Sequence, residues 1–302
     1  MQTIDLAISP CPNDTFIFGH LIRRGLERVG ADAGTLPIET VFADVEELNR
    51  RAMLALAPDS QGQHAITKLS FFAMSRLREH YTMLNCGGAL GRGCGPLQIT
   101  REDFGGDRAA ALAALGRAGR VLIPGRYTTA NLLTHLFLAD VAGAATSNKL
   151  DRQTLEFAPT RYEQILPALQ GGTAEFGVII HEERFTFEAA GLHPVQDLGA
   201  WWEETTGVPI PLGCIALRND LIADKTLQPA DVEAAIRDSL AEAYARPDNL
   251  RDFIKQHSQS LADEVIDAHI QLYVNEFSKE LGREGEAAVA ELFRRADQAG
   301  IA

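Results

Sequence analysis

The chain has 302 residues, 46% hydrophobic and 23% charged, the profile of an ordinary globular protein with one large or two ordinary domains. Lys+Arg 28 against Asp+Glu 41 leaves a net charge of -13, which argues against nucleic acid or an anionic membrane as partner and favours a small molecule. No apolar run approaches the ~20 residues of a membrane span, and the four cysteines (Cys11, Cys86, Cys94, Cys214) lack C-x-x-C spacing, which excludes the usual zinc patterns.

The start, Met1-Gln2-Thr3-Ile4-Asp5-Leu6, has no basic or apolar signal region, so a reduced, cytoplasmic setting is expected. Residues 4–8 read as a strand, broken by Ser9-Pro10-Cys11-Pro12-Asn13-Asp14. Two prolines in four residues keep that loop stiff, and Asn13 or Asp14 is expected to cap a helix from Thr15. A strand, a rigid polar loop and a helix start make a natural polar-ligand site, although such turns are common without one. Cys11 in this loop reads as packing. Residues 37–42 read as a strand, 45–56 as a helix and 58–63 as a polar surface loop. Residues 65–70 form a third strand running into a helix over 71–81, with Ser70 as its N-cap. On the residues alone, Lys68 reads as a solvated strand-end charge in preference to a cation at a cleft edge.

Five glycines fall between Gly87 and Gly95, followed by Pro96 and a strand over 97–100. With no helix following, a dinucleotide fingerprint is rejected, and a turn feeding a crossover strand is expected. Residues 101–118 read as a charged, alanine-rich surface helix, 121–124 as a strand end and 130–141 as a helix. Thr128 and Thr129 place hydroxyls beside the free N–H groups at that helix start. Residues 155–157 read as a strand and 162–170 as a helix closed by Gly171-Gly172.

The apolar run 177–180 reads as a buried strand, and His181-Glu182-Glu183-Arg184 follows directly. Ligands of open α/β sheets bind beyond the carboxyl ends of the strands, which puts His181 where a reactive group belongs. A lone histidine there also serves simply to cap a strand or satisfy a buried hydrogen bond. Residues 191–198 read as loop. Trp201 and Trp202 are adjacent, so at least one faces solvent or a ligand, or the pair plugs a domain interface. Residues 214–217 read as a strand crossing back. The tail is helical, with stripes Val232, Ile236, Leu240, Ala243 and Leu261, Val265, Ala268, Leu272, then a helix over 281–299. His20, His135 and His269 read as core or surface residues. Strand-helix alternation with two crossovers predicts an α/β protein of two lobes, residues 1–99 with 214–302 and residues 100–213, with a cleft between them. No signature of oligomeric state is visible.

Five motifs then carry a family resemblance. They are Ser9-Pro10-Cys11-Pro12-Asn13-Asp14-Thr15-Phe16; Lys68-Leu69-Ser70; Gly88-Ala89-Leu90-Gly91; Ile180-His181-Glu182 with Arg184-Phe185-Thr186; and Trp201-Trp202-Glu203 followed by Gly207, Pro209 and Pro211-Leu212-Gly213. Together they resemble the 1,4-dihydroxy-6-naphthoate synthase family of menaquinone biosynthesis, in order from Ile4 to Leu217. The resemblance implies a two-lobe periplasmic-binding-protein-like (type II) fold with two crossover strands and an inter-lobe cleft, used as an enzyme. It implies a carbon–carbon lyase of the futalosine pathway, working without metal or organic cofactor. The reaction implied converts cyclic dehypoxanthine futalosine to 1,4-dihydroxy-6-naphthoate and releases dihydroxyacetone. His181 matches the family's proton acceptor, and Lys68-Leu69-Ser70 and Thr128-Thr129 match its substrate-binding positions. The segments 53–64 and 105–120 depart from the pattern and read as surface.

This chemistry suits the residues. Expelling a three-carbon piece while an aromatic ring forms needs one group to take a proton, and imidazole, with an ordinary pKa of about 6.5, does this at neutral pH. Glu182 or Glu183 would orient the ring. Hydroxyls and N–H groups of Ser9, Asn13, Asp14, Ser70, Thr128 and Thr129 are expected to hold the substrate's carboxylate and hydroxyls. Two rivals remain: a cytosolic solute-binding-type protein sharing the cleft, and the sister chorismate dehydratase of the same pathway.

Overall fold

A computed structural model describes residues 3–28, 34–57, 60, 62–144, 155–258 and 262–301. Strand Ile4–Ile8 is buried almost throughout and pairs in parallel with Ile38–Phe42 on one side and Ile66–Ser70 on the other. Its near-continuous apolar run is what a strand covered on both faces requires. Strand Ile210–Arg218 joins antiparallel to Ile66–Ser70 and also pairs with Tyr81–Met83 and Ala89–Gly91, which completes a six-stranded sheet. A second sheet has the order Glu156–Pro159, Arg120–Ile123, Phe176–Ile179, Leu97–Thr100, His193–Asp197. Its first three strands are parallel, and Leu97–Thr100 is antiparallel to both of its neighbours.

The chain leaves the first sheet after Gly91, enters the second at Leu97, leaves it after Asp197 and returns at Ile210. The expected boundaries at 99/100 and 213/214 fall inside strands Leu97–Thr100 and Ile210–Arg218, so each change of sheet lies a few residues earlier. The two connections pass at Gly95 and Gly199, where a Cβ on Gly95 would lie 2.3 Å from the Gly199 Cα. Backbone cannot yield there as a side chain would. Gly95→Ala is therefore expected to cost about 1–3 kcal/mol of stability, as overpacking does. An unchanged denaturant midpoint would show that the crossing is looser than this.

Several local expectations are overturned. The first helix begins at Pro12, with Cys11 as its N-cap and no side-chain cap bond, because proline is already shaped for the first helical turn. The helix expected over 101–118 spans only Arg108–Leu115: Gly105 and Gly106 take φ of 59° and 83°, and Asp107 then caps. Ala111 and Leu115 of that segment are buried, as are Gly62 and His64 of the segment 53–64 read as surface. Residues 58, 59 and 61 of the expected loop, and Leu261 of the expected stripe, lie outside the described residues.

Residues 193–197 form an edge strand where loop was expected, with a register shift between Pro194 and Gln196. Proline at a bulged edge strand fits this pairing. Both tryptophans, on helix Leu198–Thr206, are buried. Trp201 donates to Asp140 at 3.1 Å and Trp202 to the Pro209 carbonyl at 3.0 Å, so they serve packing. On helix Asp263–Tyr273 the buried residues are Ile266, His269 and Tyr273, a face one position round from the expected stripe, whose Val265, Ala268 and Leu272 are half-buried.

Candidate active site

Ser9 and Asn13 leave the end of Ile4–Ile8, and Lys68 and Ser70 end Ile66–Ser70. From the second sheet, Thr128 and Thr129 follow Arg120–Ile123, and His181 follows Phe176–Ile179. These seven residues line one chamber between the sheets, with Tyr273, Cys94 and Leu212 closing it. Its free volume is about 70 Å³. Strand alternation points Lys68 and Ser70 to one side and Leu69 to the other. Leu69 is fully buried in the hydrophobic core and its side chain does not reach the chamber.

Lys68 is 5% exposed, which overturns its reading as a solvated charge. Its ammonium donates to Oδ1 of the fully buried Asp14. Asp14 also accepts from the Ser9 hydroxyl at 2.6 Å, the Ser9 N–H at 3.2 Å and the Asn13 amide at 3.0 Å. Asp14 therefore stands behind the chamber wall and fixes three of its residues, where a helix cap was expected. Ser70 is the N-cap residue of helix Phe71–Leu77, as expected, although its side chain makes no cap bond. Its hydroxyl accepts from Asn49 at 3.0 Å and its N–H donates to Asn49 Oδ1 at 2.9 Å. Thr128 donates to the Gly125 carbonyl at 2.9 Å and accepts from the Asn131 N–H, and Thr129 donates to the Leu212 carbonyl at 2.9 Å.

His181 has a left-handed backbone, φ 58°, a conformation uncommon for a side-chain-bearing residue and a mark of functional sites. Its ring meets the chamber, lies edge-on to Tyr162 at 5.0 Å, and leaves Nε2 without a hydrogen-bond partner. Enclosure by protein pulls its pKa down to about 4, with Asp14 opposing that and Lys68 adding to it. At neutral pH the imidazole is uncharged and has a lone pair to offer. Neither Glu182 nor Glu183 bonds to it. Both carboxyls are buried, with Glu182 Oε1 and Oε2 and Glu183 Oε2 unpartnered. Cys11 is buried, and burial pushes its thiol well up, with the charge of Glu182 adding to this.

Burial also pushes Glu183 up to about 9, with the charges of Glu182 and Glu163 adding to it. The folded chain thus holds a proton there that the unfolded chain releases above its ordinary value of about 4.3, so stability falls as pH rises through that window. His181 acts in the opposite sense, losing stability as pH drops from about 6.5 to about 4. The urea midpoint is expected to fall between about pH 6 and pH 9, and Glu183→Gln to flatten that slope. The same slope in the variant would contradict the assignment.

Three participants were not found by sequence reading. Glu46 reaches from helix Val45–Met53 to accept the Arg126 and Tyr127 N–H groups at 2.8 and 3.0 Å, which ties the Thr128–Thr129 loop across the cleft. His269 is fully buried and bonds Asn13 at 3.0 Å, and Tyr273 closes the chamber beside it. A stripe Ile266, His269, Tyr273 at i, i+3, i+7 was available as a signal, masked by its polar members.

A family model described as menaquinone biosynthesis matches residues 4–298. Two curated proteins named 1,4-dihydroxy-6-naphthoate synthase are similar over their full lengths. One, from Thermus thermophilus, is 43% identical, covering 100% of this chain and 97% of its own; the other, from Streptomyces coelicolor, is 37% identical, covering 99% and 95%. A crystal structure of an Archaeoglobus fulgidus protein superposes with a TM-score of 0.79 at 28% identity over 99% of this chain and 98% of its own. The periplasmic aliphatic sulphonate binding protein of Escherichia coli superposes at 0.62 and 12% identity, over 99% and 86%, a likeness of fold alone. The periplasmic-binding-protein-like architecture expected from the motifs is thus the one observed, and the chain belongs to the menaquinone-biosynthesis family.

Proposed function

We propose that the chain is a 1,4-dihydroxy-6-naphthoate synthase, a cytoplasmic, cofactor-independent carbon–carbon lyase of the futalosine route to menaquinone. Its substrate is cyclic dehypoxanthine futalosine and its co-product dihydroxyacetone. The single observation that supports this most is His181, an uncharged imidazole that lines the chamber and whose Nε2 has no hydrogen-bond partner. Full-length relatives bearing that enzyme's name add to it.

In this reading His181 takes the proton whose removal lets the three-carbon fragment leave, and the forming aromatic ring supplies the driving force. Lys68 and the first-turn N–H groups beside Thr128 and Thr129 hold the substrate's carboxylate. Ser9, Asn13 and Ser70 meet its hydroxyls. Asp14 serves indirectly, holding Lys68, Ser9 and Asn13 in place. In this reading the lobes close over the bound substrate to exclude water, the gating common to such clefts. Leu69 contributes core packing and no substrate contact of its own side chain.

Purified protein incubated with cyclic dehypoxanthine futalosine is expected to yield naphthoate absorbance without added metal or cofactor. Turnover of chorismate instead would favour the dehydratase, and binding without turnover of either would favour a binding protein.

A further inference from the structure

Behind His181 lies a chain of polar groups whose proton positions can be deduced in sequence. Asp14 is paired with Lys68, and the Asn13 amide donates to the same carboxylate at 3.0 Å. That fixes the Asn13 amide orientation, so its Oδ1 is the atom facing His269 Nε2 at 3.0 Å. A carbonyl oxygen only accepts, so Nε2 of His269 carries the hydrogen. His269 is fully buried and burial holds it well below its usual pKa, hence neutral. Its Nδ1 is then a bare acceptor. The atom facing Nδ1 is Glu182 Oε2, at 3.9 Å, and Nδ1 and both Glu182 oxygens otherwise lack partners.

Two acceptors cannot satisfy each other, so the pair closes into a hydrogen bond only if Glu182 brings the proton. The surroundings favour this. Glu163 lies nearby as a like charge, Glu183 is itself protonated, Tyr162, Cys11 and Tyr273 are buried and neutral, and among the described residues no basic side chain other than the neutral His269 stands within ion-pair range of Glu182. Glu182 belongs to the turn after the second sheet, whereas Lys68, Asp14, Asn13 and His269 belong to elements packed on the first. It is also the residue next to His181, whose left-handed backbone needs an anchor.

We infer that Glu182 is a neutral carboxylic acid that hooks onto His269 Nδ1 across the cleft, and that this hook holds His181 in its left-handed conformation when the lobes close. Glu182 is thereby a positioning residue, acting through His181. This deepens the reading of the chamber as the active site, but its first test needs no activity. A long-range 1H–15N spectrum of the intact chain is expected to show His269 as the neutral Nε2–H tautomer, unchanged across about pH 6–8. An Nδ1–H tautomer, or a His269 that titrates in this range, would overturn the inference while leaving the enzyme reading intact.

Substitution supplies the second test. Glu182→Gln keeps a neutral donor and is expected to retain kcat within about threefold, whereas Glu182→Ala loses tenfold or more in kcat with KM little changed. Equal losses in both variants, with the fold intact by circular dichroism, would mean that the ionised carboxylate is the working form and would sink the hook.

Discussion

Replacing His181 by alanine is expected to lower kcat by about 10²- to 10⁴-fold, the usual contribution of one positioned acid–base group. Substrate affinity should change little, because the groups assigned to binding sit on other elements: Lys68 and Ser70 on one strand end, Thr128 and Thr129 at one helix start. The fold should tolerate the change, since His181 is partly open to the chamber and its Nε2 makes no hydrogen bond that its loss would orphan. Relief of the left-handed backbone is not expected, as alanine is no happier there. Single-turnover kinetics with calorimetric binding separates the two effects. Near-normal turnover in the variant would remove His181 from the mechanism.

The second large effect concerns stability. Asp14→Ala is expected to cost about 3–5 kcal/mol, because it leaves the Lys68 ammonium buried without a counter-charge. It also strips acceptors from the Ser9 hydroxyl, the Ser9 N–H and the Asn13 amide. Lys68→Met should cost less, toward the lower end of that range, since Asp14 would keep those three donors. The ordering is the diagnostic part: urea titration should place the Asp14 variant below the Lys68 variant. The reverse order would mean that the lysine, not the carboxylate, organises the chamber wall.

What could be read from the sequence, and what could not, divides along the range of the interactions. Ile4–Ile8 with its stiff polar loop, and Phe176–Ile179 ending at His181, are written in contiguous residues, and both were legible. Lys68 was misread because the group that buries it, Asp14, lies on another strand-loop-helix unit; the apolar neighbours Leu69 and Ile66 gave no hint of an ion pair. Ser70 is the N-cap residue of helix Phe71–Leu77, as expected, but its side chain pairs with the distant Asn49 in place of a cap bond. The cap expected at Asp14 failed because the helix starts at Pro12, which puts Asp14 inside its first turn. His269 and Tyr273 were missed because hydrophobicity alone chose the face Val265, Ala268, Leu272, while the buried face contains polar groups that the site needs. The edge strand His193–Asp197 exists through pairing with Leu97–Thr100, and nothing within 191–198 announces it.

In the proposed reaction substrate sits between Lys68 and Ser70 on one side and Thr128 and Thr129 on the other, with its labile proton at His181. A crystal structure of the His181→Asn protein with cyclic dehypoxanthine futalosine tests this directly. Substrate is expected in the chamber, its carboxylate on Lys68 and the helix start, and the proton-bearing carbon within about 3–3.5 Å of where Nε2 would stand. Substrate lodged in the open groove beside Arg50 and Arg126, or with that carbon turned away from residue 181, would contradict it.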